Sequence, residues 1–418
     1  MSRVYFVIDM KSFFASVECA ERGIDPYTAN LVVADPDRTE KTICLAVSIN
    51  MKKLGVKNRC RLWMVPKDID FICAKPRMKK YIEYAANIYA IYLKYIDKND
   101  IHVYSIDECF LDVTDYLKLY NIKAKPFAMM LMNEIWEKYH IPATCGIGTN
   151  MYLAKIALDI TAKHAKDRIG WLNEEKFFKT LSHHEPITDF WMISTGIKNR
   201  LLKYGIKDIE GIRKIDEEIL YKEFGVNAEI MIDHAYGIEP VTMADIKGYK
   251  SKSKSISSHE ILTCGYYKKD ALIVLKEMIQ NGCYNLYLKN LVTSSIHIAV
   301  NYVDFTMNHA TISYNICTNL YKYLIDDVIK TYERIVLDNK EIKAIGYSFG
   351  VSDIKNEHYD IFTDLADVEK EKKLLKSILS LKDKYGKNSV LKALDIDEKA
   401  TIIERNKMIG GHNSGEDE

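Results

Sequence analysis

Residues 101–113 read IHVYSIDECFLDV, two apolar runs (101–106 and 109–113) that meet at Asp107 and Glu108. This is the pattern of an antiparallel hairpin with the two acids at its tip. An adjacent acid pair interrupting an apolar hairpin costs several kcal/mol if it is desolvated alone, so it needs water or a cation beside it. Upstream, residues 4–8 (VYFVI) form a β-branched and aromatic run of strand length that stops at Asp9. From Ser12, a suitable N-cap, Phe13, Phe14, Val17 and Ala20 follow along one side of a helix. Asp9 therefore belongs to a strand-to-helix corner, where a lone Asp is ordinarily a turn or capping residue. If the hairpin packs beside the first strand, three carboxylates converge, and a divalent cation with hard oxygen ligands, Mg²⁺ above all, relieves their repulsion. Two such ions about 3.5–4 Å apart clamp the attacking and leaving oxygens of a phosphoryl displacement, which makes nucleotidyl transfer the reaction class.

Around this core the chain alternates strand and helix. Residues 31–49 read as two strands with a polar turn, 78–95 as a Tyr-rich helix, and Phe127, Leu131, Ile135 and Tyr139 mark a further helix. ATCGIGTN (143–150) is another strand entering a turn. After Gly170 short helices take over; Gly196 and Gly205 bracket one and a second begins near Asp208. KGYKSKSKS (247–255) carries four lysines and no acid and reads as an exposed linker or groove strand. From Ile256 the order is βαββαβ: strand, helix 268–287, strands 296–302 and 311–316, helix 320–332, strand 342–351. Beyond Asp364 a charged helix carries the narrow stripe Leu374, Leu375, Ile378 and Leu379, and the chain ends in a polar sequence.

Composition sets limits. At 418 residues, 48% hydrophobic and 28% charged, the chain is a folded protein of two or three domains, neither disordered nor collagenous. Lys and Arg total 59 against 58 acids, so any nucleic-acid surface has to be local. The 28 Tyr favour sheets and ring contacts. Nine scattered cysteines show no zinc or redox spacing and read as reduced thiols. An N-terminus broken by Asp9 and Lys11, with no run of membrane-spanning length, leads to a cytoplasmic expectation. His183 and His184 are adjacent, poor geometry for chelation, and read as a surface loop.

DMKSFFASVE (9–18) and YSIDECFLD (104–112), with CGIGTNMYLAKIALDITAK (145–163) and the βαββαβ unit, resemble the Y family of translesion DNA polymerases, over about residues 3–352. The ending RNKMIGGH is similar to that of its UmuC-like branch in Gram-positive bacteria, their phages or plasmids. The resemblance implies an α/β and α+β multidomain right hand: palm at 1–20 and 76–166, fingers at 21–75, helical thumb at 167–243, linker at 244–255, little finger at 256–352, and a tail at 353–418. It implies metal ligation by Asp9, the Met10 carbonyl, Asp107 and Glu108, holding two Mg²⁺ ions. Phe13 and Phe14 fall at the nucleotide, Phe14 as the steric gate that collides with a ribose 2′-hydroxyl and Phe13 as helix core. Lys52 and Lys155 fall at the triphosphate.

Departures from the family pattern are Lys11, where many members carry a second acid, and Ile49 in place of a fingers tyrosine. Neither removes a metal ligand, and both lean toward the UmuC-like branch. The resemblance places DNA contact in the helical domain and the little finger. Gly196, Lys198, Arg200 and Lys203 can meet a phosphate at a helical turn, and Lys250, Lys252 and Lys254 can follow a backbone. HYDIF (358–362) resembles a degenerate sliding-clamp peptide, with His358, Tyr359, Ile361 and Phe362 in the contact positions.

The expectation is a low-fidelity DNA-directed DNA polymerase for lesion bypass and induced (SOS) mutagenesis, using primer-template DNA and deoxynucleoside triphosphates. A sliding clamp is the expected partner, with a UmuD-like accessory subunit and a recombinase filament behind it. The rivals are a palm-type nucleotide cyclase and a catalytically silent scaffold binding DNA or a clamp.

Overall fold

The computed structural model describes residues 3–39, 41–251, 254–263 and 265–415. The chain divides into two units, Met1–Lys250 with His412–Glu418, and Ser251–Gly411.

The first unit opens with β1 (Tyr5–Met10) and α1 (Phe13–Glu21). A small sheet of order β3-β2-β4 follows, from β2 (Leu31–Val33), β3 (Ala46–Val47) and β4 (Ile72–Ala74), with α2 (Ile49–Lys53) between the last two. Next come α3 (Met78–Leu93), β5 (Ile101–Val103), β6 (Glu108–Asp112), α4 (Thr114–Leu119), α5 (Ala124–Tyr139) and β7 (Ala143–Gly148). Then α6 (Met151–Ile156) runs into a π-helical turn, Ala157–Thr161, before β8 (Ile169–Leu172). The helices α7 (Glu174–Leu181), α8 (Thr195–Leu202), α9 (Ile209–Lys214), α10 (Glu217–Phe224), α11 (Asn227–Ala235) and α12 (Met243–Gly248) come after it.

The main sheet has the order β5-β6-β1-β7-β8, with β1 central and antiparallel to both neighbours. Central position explains the unbroken apolar run. Phe6, Ile8 and Met10 face a core that includes Phe13, Tyr81 and Phe127 from α1, α3 and α5. Tyr5 and Val7 face the opposite side with Phe110, Met151, Ala154 and Leu158.

The second unit has β9 (Ser255–Ile261), α13 (Lys268–Leu288), β10 (Leu291–Tyr302), β11 (Met307–Thr318), α14 (Ile325–Ile335) and β12 (Ile342–Asp353), in sheet order β11-β10-β12-β9. This is the expected βαββαβ order. Ile296, Ile298 and Val300 alternate into one core with residues of both helices, such as Val274, Leu275, Val328 and Tyr332. In the tail, α15 (Leu365–Tyr385) packs Val368 and Leu375 with Leu320. At α16 (Ile402–Asn406), Arg405 and the Thr401 backbone N–H donate to buried Glu277 on α13, both at 3.1 Å.

Several expectations need correction. Strand β1 runs on to Met10, so Asp9 lies inside the strand and not in a corner, paired across to Glu108 and Thr144. Glu108 opens β6 and is not at the hairpin tip: the Tyr104 and Ser105 N–H groups both donate to its carbonyl, which closes the turn before it. Ser12 precedes α1 in a left-handed conformation (φ 49°) and makes no side-chain cap. Residues 244–248 are helical and not linker, because Thr242 and Asp245 form a reciprocal capping box that starts α12. The Lys254 carbonyl accepts from Val351 N, so that lysine runs into the sheet, while Lys252 lies outside the described residues. Leu374 of the tail stripe is exposed because Leu375 takes the inward position. The cysteines are free thiols among the described residues; Cys264 lies outside them.

Candidate active site

Antiparallel register sets Asp9 directly opposite Glu108, which turns both side chains to the same face of the sheet. Asp107 is tied to the end of β1 through its carbonyl, which accepts from Met10 N at 3.0 Å. Its carboxylate accepts from Ser105 Oγ at 2.6 Å. Asp9 and Glu108 thus share one face, and Asp107 lies near enough to repel Asp9.

Lys155 reaches this face because α6 lies almost against the sheet. A Cβ at Gly146 would stand 2.0 Å from the Ala154 carbonyl oxygen, and one at Gly148 would stand 2.2 Å from Ala154 N. Both obstacles are backbone, so only glycine permits the approach. Asn150 starts α6 by accepting from Leu153 N at 2.8 Å. The Lys155 ammonium then lies 2.8 Å from Glu108 Oε2 and 3.2 Å from Asp159. The family resemblance assigns this lysine to the triphosphate; here its charge is engaged by the acids.

The electrostatics follow from crowding. Burial first, and then repulsion from Asp107 and Glu108, push the Asp9 carboxyl up to about 8. Burial also raises Glu108, outweighing Lys155. Burial lowers Lys155, but Glu108 and Asp159 overcome it and the ammonium is held above its ordinary value. Glu108 Oε1 is buried with no hydrogen-bond partner.

That orphaned oxygen, beside repelling carboxylates, fits a hard divalent cation. Among the described residues no three His, Cys, Asp or Glu side chains already form a metal-holding group. Asp9, Asp107, Glu108 and the Met10 carbonyl would supply the donors, Glu108 through the Oε1 that its lysine leaves free.

Lys11 and Lys52 form part of a basic rim. Burial lowers both ammonium groups, with Arg168 and Lys52 repelling Lys11, Lys163 repelling both, and Asp9 attracting both. Lys52 was expected here; Lys163 and Arg168 were not. Lys163 closes the 145–163 motif, but Arg168 lies just outside any sequence pattern that would mark it.

Phe13 is buried in the core and Phe14 only partly so. The Phe14 ring stacks on Tyr81 at 4.5 Å between centroids and 16° between planes. Tyr81, absent from the sequence reading, donates to Glu18 Oε1 at 2.8 Å.

The expected DNA contacts fare less evenly. Gly196 lies in the first turn of α8, and Ser194 caps that helix through Ile197 N. Arg200 is engaged by Glu223 at 2.7 Å and stacks on Phe224, and Lys203 is 3.8 Å from the same glutamate, so this turn offers less free charge than its sequence promised. Lys198 is partly buried and Lys250 exposed. His183 and His184 pair with Asp208 and Asp189.

The impB/mucB/samB family model matches residues 8–159, which include Asp9, Asp107 and Glu108. UvrX of Bacillus subtilis (strain 168) is 27% identical over 417 residues, covering 97% of each chain. DNA polymerase IV 2 of the same strain is 27% identical over 422 residues, covering 98% of each. Among solved structures, a Y-family DNA polymerase chimera of Dbh and Dpo4 matches with TM-score 0.65 at 23% identity, covering 83% of this chain and 98% of that one. The architecture is thus that of the Y-family polymerases. The relatives the chain resembles over nearly its whole length are a UV-damage repair protein and a DNA polymerase IV of Bacillus subtilis.

Proposed function

We propose that this chain is a low-fidelity, DNA-directed DNA polymerase performing translesion synthesis at the site formed by Asp9, Asp107 and Glu108. The observation that carries the reading is Asp9 in register with Glu108, with Asp107 anchored at the strand end and a basic rim alongside. The family chemistry is metal-dependent nucleotidyl transfer, and two Mg²⁺ ions held by these oxygens would lower the charge barrier between a primer 3′-hydroxyl and the α-phosphate. The protein's own part is to hold the donors. Lys11 and Lys52 attract the triphosphate, and Lys155 neutralises Glu108 until the acid is needed elsewhere. Phe14 is the ring that excludes a ribose 2′-hydroxyl, a role its partial exposure supports.

The open face of the second unit's sheet supports DNA contact. His297, His309 and Thr311 lie there, with His297 Nδ1 3.0 Å from Thr311 Oγ1, and polar groups suit phosphate contact without base reading. A sliding clamp suits HYDIF: His358 bridges to Cys317 and Tyr359 bonds Thr318, while Ile361 and Phe362 are 92% and 88% exposed. Two pinned residues presenting two bare apolar ones is a form a hydrophobic pocket can accept. A UmuD-like subunit and a recombinase filament are the further partners the branch implies.

Primer extension on an undamaged and a lesion-bearing template tests the reading, with Asp107→Ala as control. Extension by the wild type alone is expected. Cyclic product without primer would favour the cyclase, and DNA binding without extension the scaffold.

A further inference from the structure

We infer that the C-terminal peptide His412–Gly415 is a positioning element for sugar selection, acting on the Phe14 ring through Arg77, Glu18 and Tyr81. The inference rests on the polymerase reading and on Phe14 as the gate.

The chain leaves the first unit at residue 250 and rejoins it at 412. There Ser414, only 4% exposed, accepts through its carbonyl from Lys79 N at 3.0 Å. Lys79 lies in the first turn of α3, a helix whose N-cap residue Arg77 makes no side-chain cap. First-turn N–H groups have no partner within their own helix, so a peptide from the far end of the chain does the work of a cap. Gly415, at φ +82°, lies so close that a Cβ there would stand 2.8 Å from Arg77 Cβ and 3.1 Å from its Cα. The peptide therefore fixes where Arg77 can be.

Arg77 holds Glu18 with two parallel bonds, Nε at 3.0 Å and Nη2 at 2.8 Å, and Arg22 adds a third contact. Such a fork fixes orientation as well as distance. Glu18, fully buried, fixes the Tyr81 hydroxyl at 2.8 Å, and the Tyr81 ring lies flat against Phe14. Discrimination by a ring against one hydroxyl depends on placement within fractions of an ångström. Each member of the series sets the position of the next, and the peptide sets the first.

The experiment compares kcat/KM for ribonucleotide and deoxynucleotide incorporation on one primer-template. Gly415→Val and a chain ending at Gly411 remove the docking, and Arg77→Lys keeps the charge but loses the fork. Each is expected to raise the ribonucleotide share about tenfold while deoxynucleotide incorporation changes less than about threefold. Phe14→Ala serves as the positive control. A raised ribonucleotide share for Phe14→Ala with unchanged selectivity in Gly415→Val and Arg77→Lys would overturn the inference and leave the gate standing. No extension by the wild type would overturn the polymerase reading and the inference with it. Gly415→Val changes a single residue and keeps the rest of the chain, so it decides the matter even where the truncated chain misfolds.

Discussion

Lys155 and Glu108 form an ion pair at 2.8 Å in which both side chains are 9% exposed, on the same sheet face as Asp9. A buried pair that loses one partner leaves an uncompensated charge, at about 3–5 kcal/mol. Lys155→Met should therefore lower the thermal midpoint of the metal-free protein and depress extension together. A midpoint unchanged within error would mean the pair is solvated in solution.

Divalent-ion binding should release protons. Asp9, pushed up to about 8, is mostly protonated at pH 7 in the metal-free protein and must lose that proton to become a ligand. Calorimetry in buffers of different ionisation enthalpy should report on the order of one proton per chain, and affinity for Mg²⁺ should fall as pH drops below 8. Asp9→Asn should abolish the release; release that persists in that variant would assign the proton to another group.

Phe13 and Phe14 should separate cleanly. Phe14→Ala is expected to admit ribonucleotides with little effect on folding. Phe13→Ala, buried in the main core, should cost about 3–5 kcal/mol of stability. Urea unfolding and ribonucleotide incorporation, measured on both variants, decide it; the reverse pattern would exchange their roles.

Acid stability should depend on Glu18. Burial raises this carboxyl, but hydrogen bonds from Arg77, Arg22 and Tyr81 outweigh it, and it titrates below its ordinary value of 4.5. Since the folded form binds its proton less readily than the unfolded chain, the stabilisation is complete above 4.5 and is lost as pH falls through the lower folded value. Denaturant midpoints across that range should fall more steeply for the wild type than for Glu18→Gln, and parallel curves would contradict the assignment.

How legible all this was depends on the kind of signal. The strand of residues 4–8 and the acidic hairpin could be read because a central strand is apolar on both faces and an adjacent acid pair breaks an apolar pattern conspicuously. The βαββαβ unit was readable from alternation and helix period alone. The register that puts Asp9 opposite Glu108 was not, because pairing partners lie about a hundred residues apart and no local pattern encodes them. Tyr81 and Glu18 passed unnoticed since a buried tyrosine and a helix glutamate look ordinary until they meet. The basic residues of the helical turn misled in the other direction, because Glu223, which takes up Arg200 and Lys203, lies on α10, two helices further along the chain.

The bare Cα positions at 146 and 148 bear on how far this enzyme can be reshaped. Their only variable atom is a hydrogen, and the neighbouring helix backbone leaves no room for a carbon. Libraries seeking altered nucleotide choice should hold both codons constant and place their diversity at Lys11, Lys52, Lys163 and Arg168, whose side chains line the rim and not the helix–sheet contact.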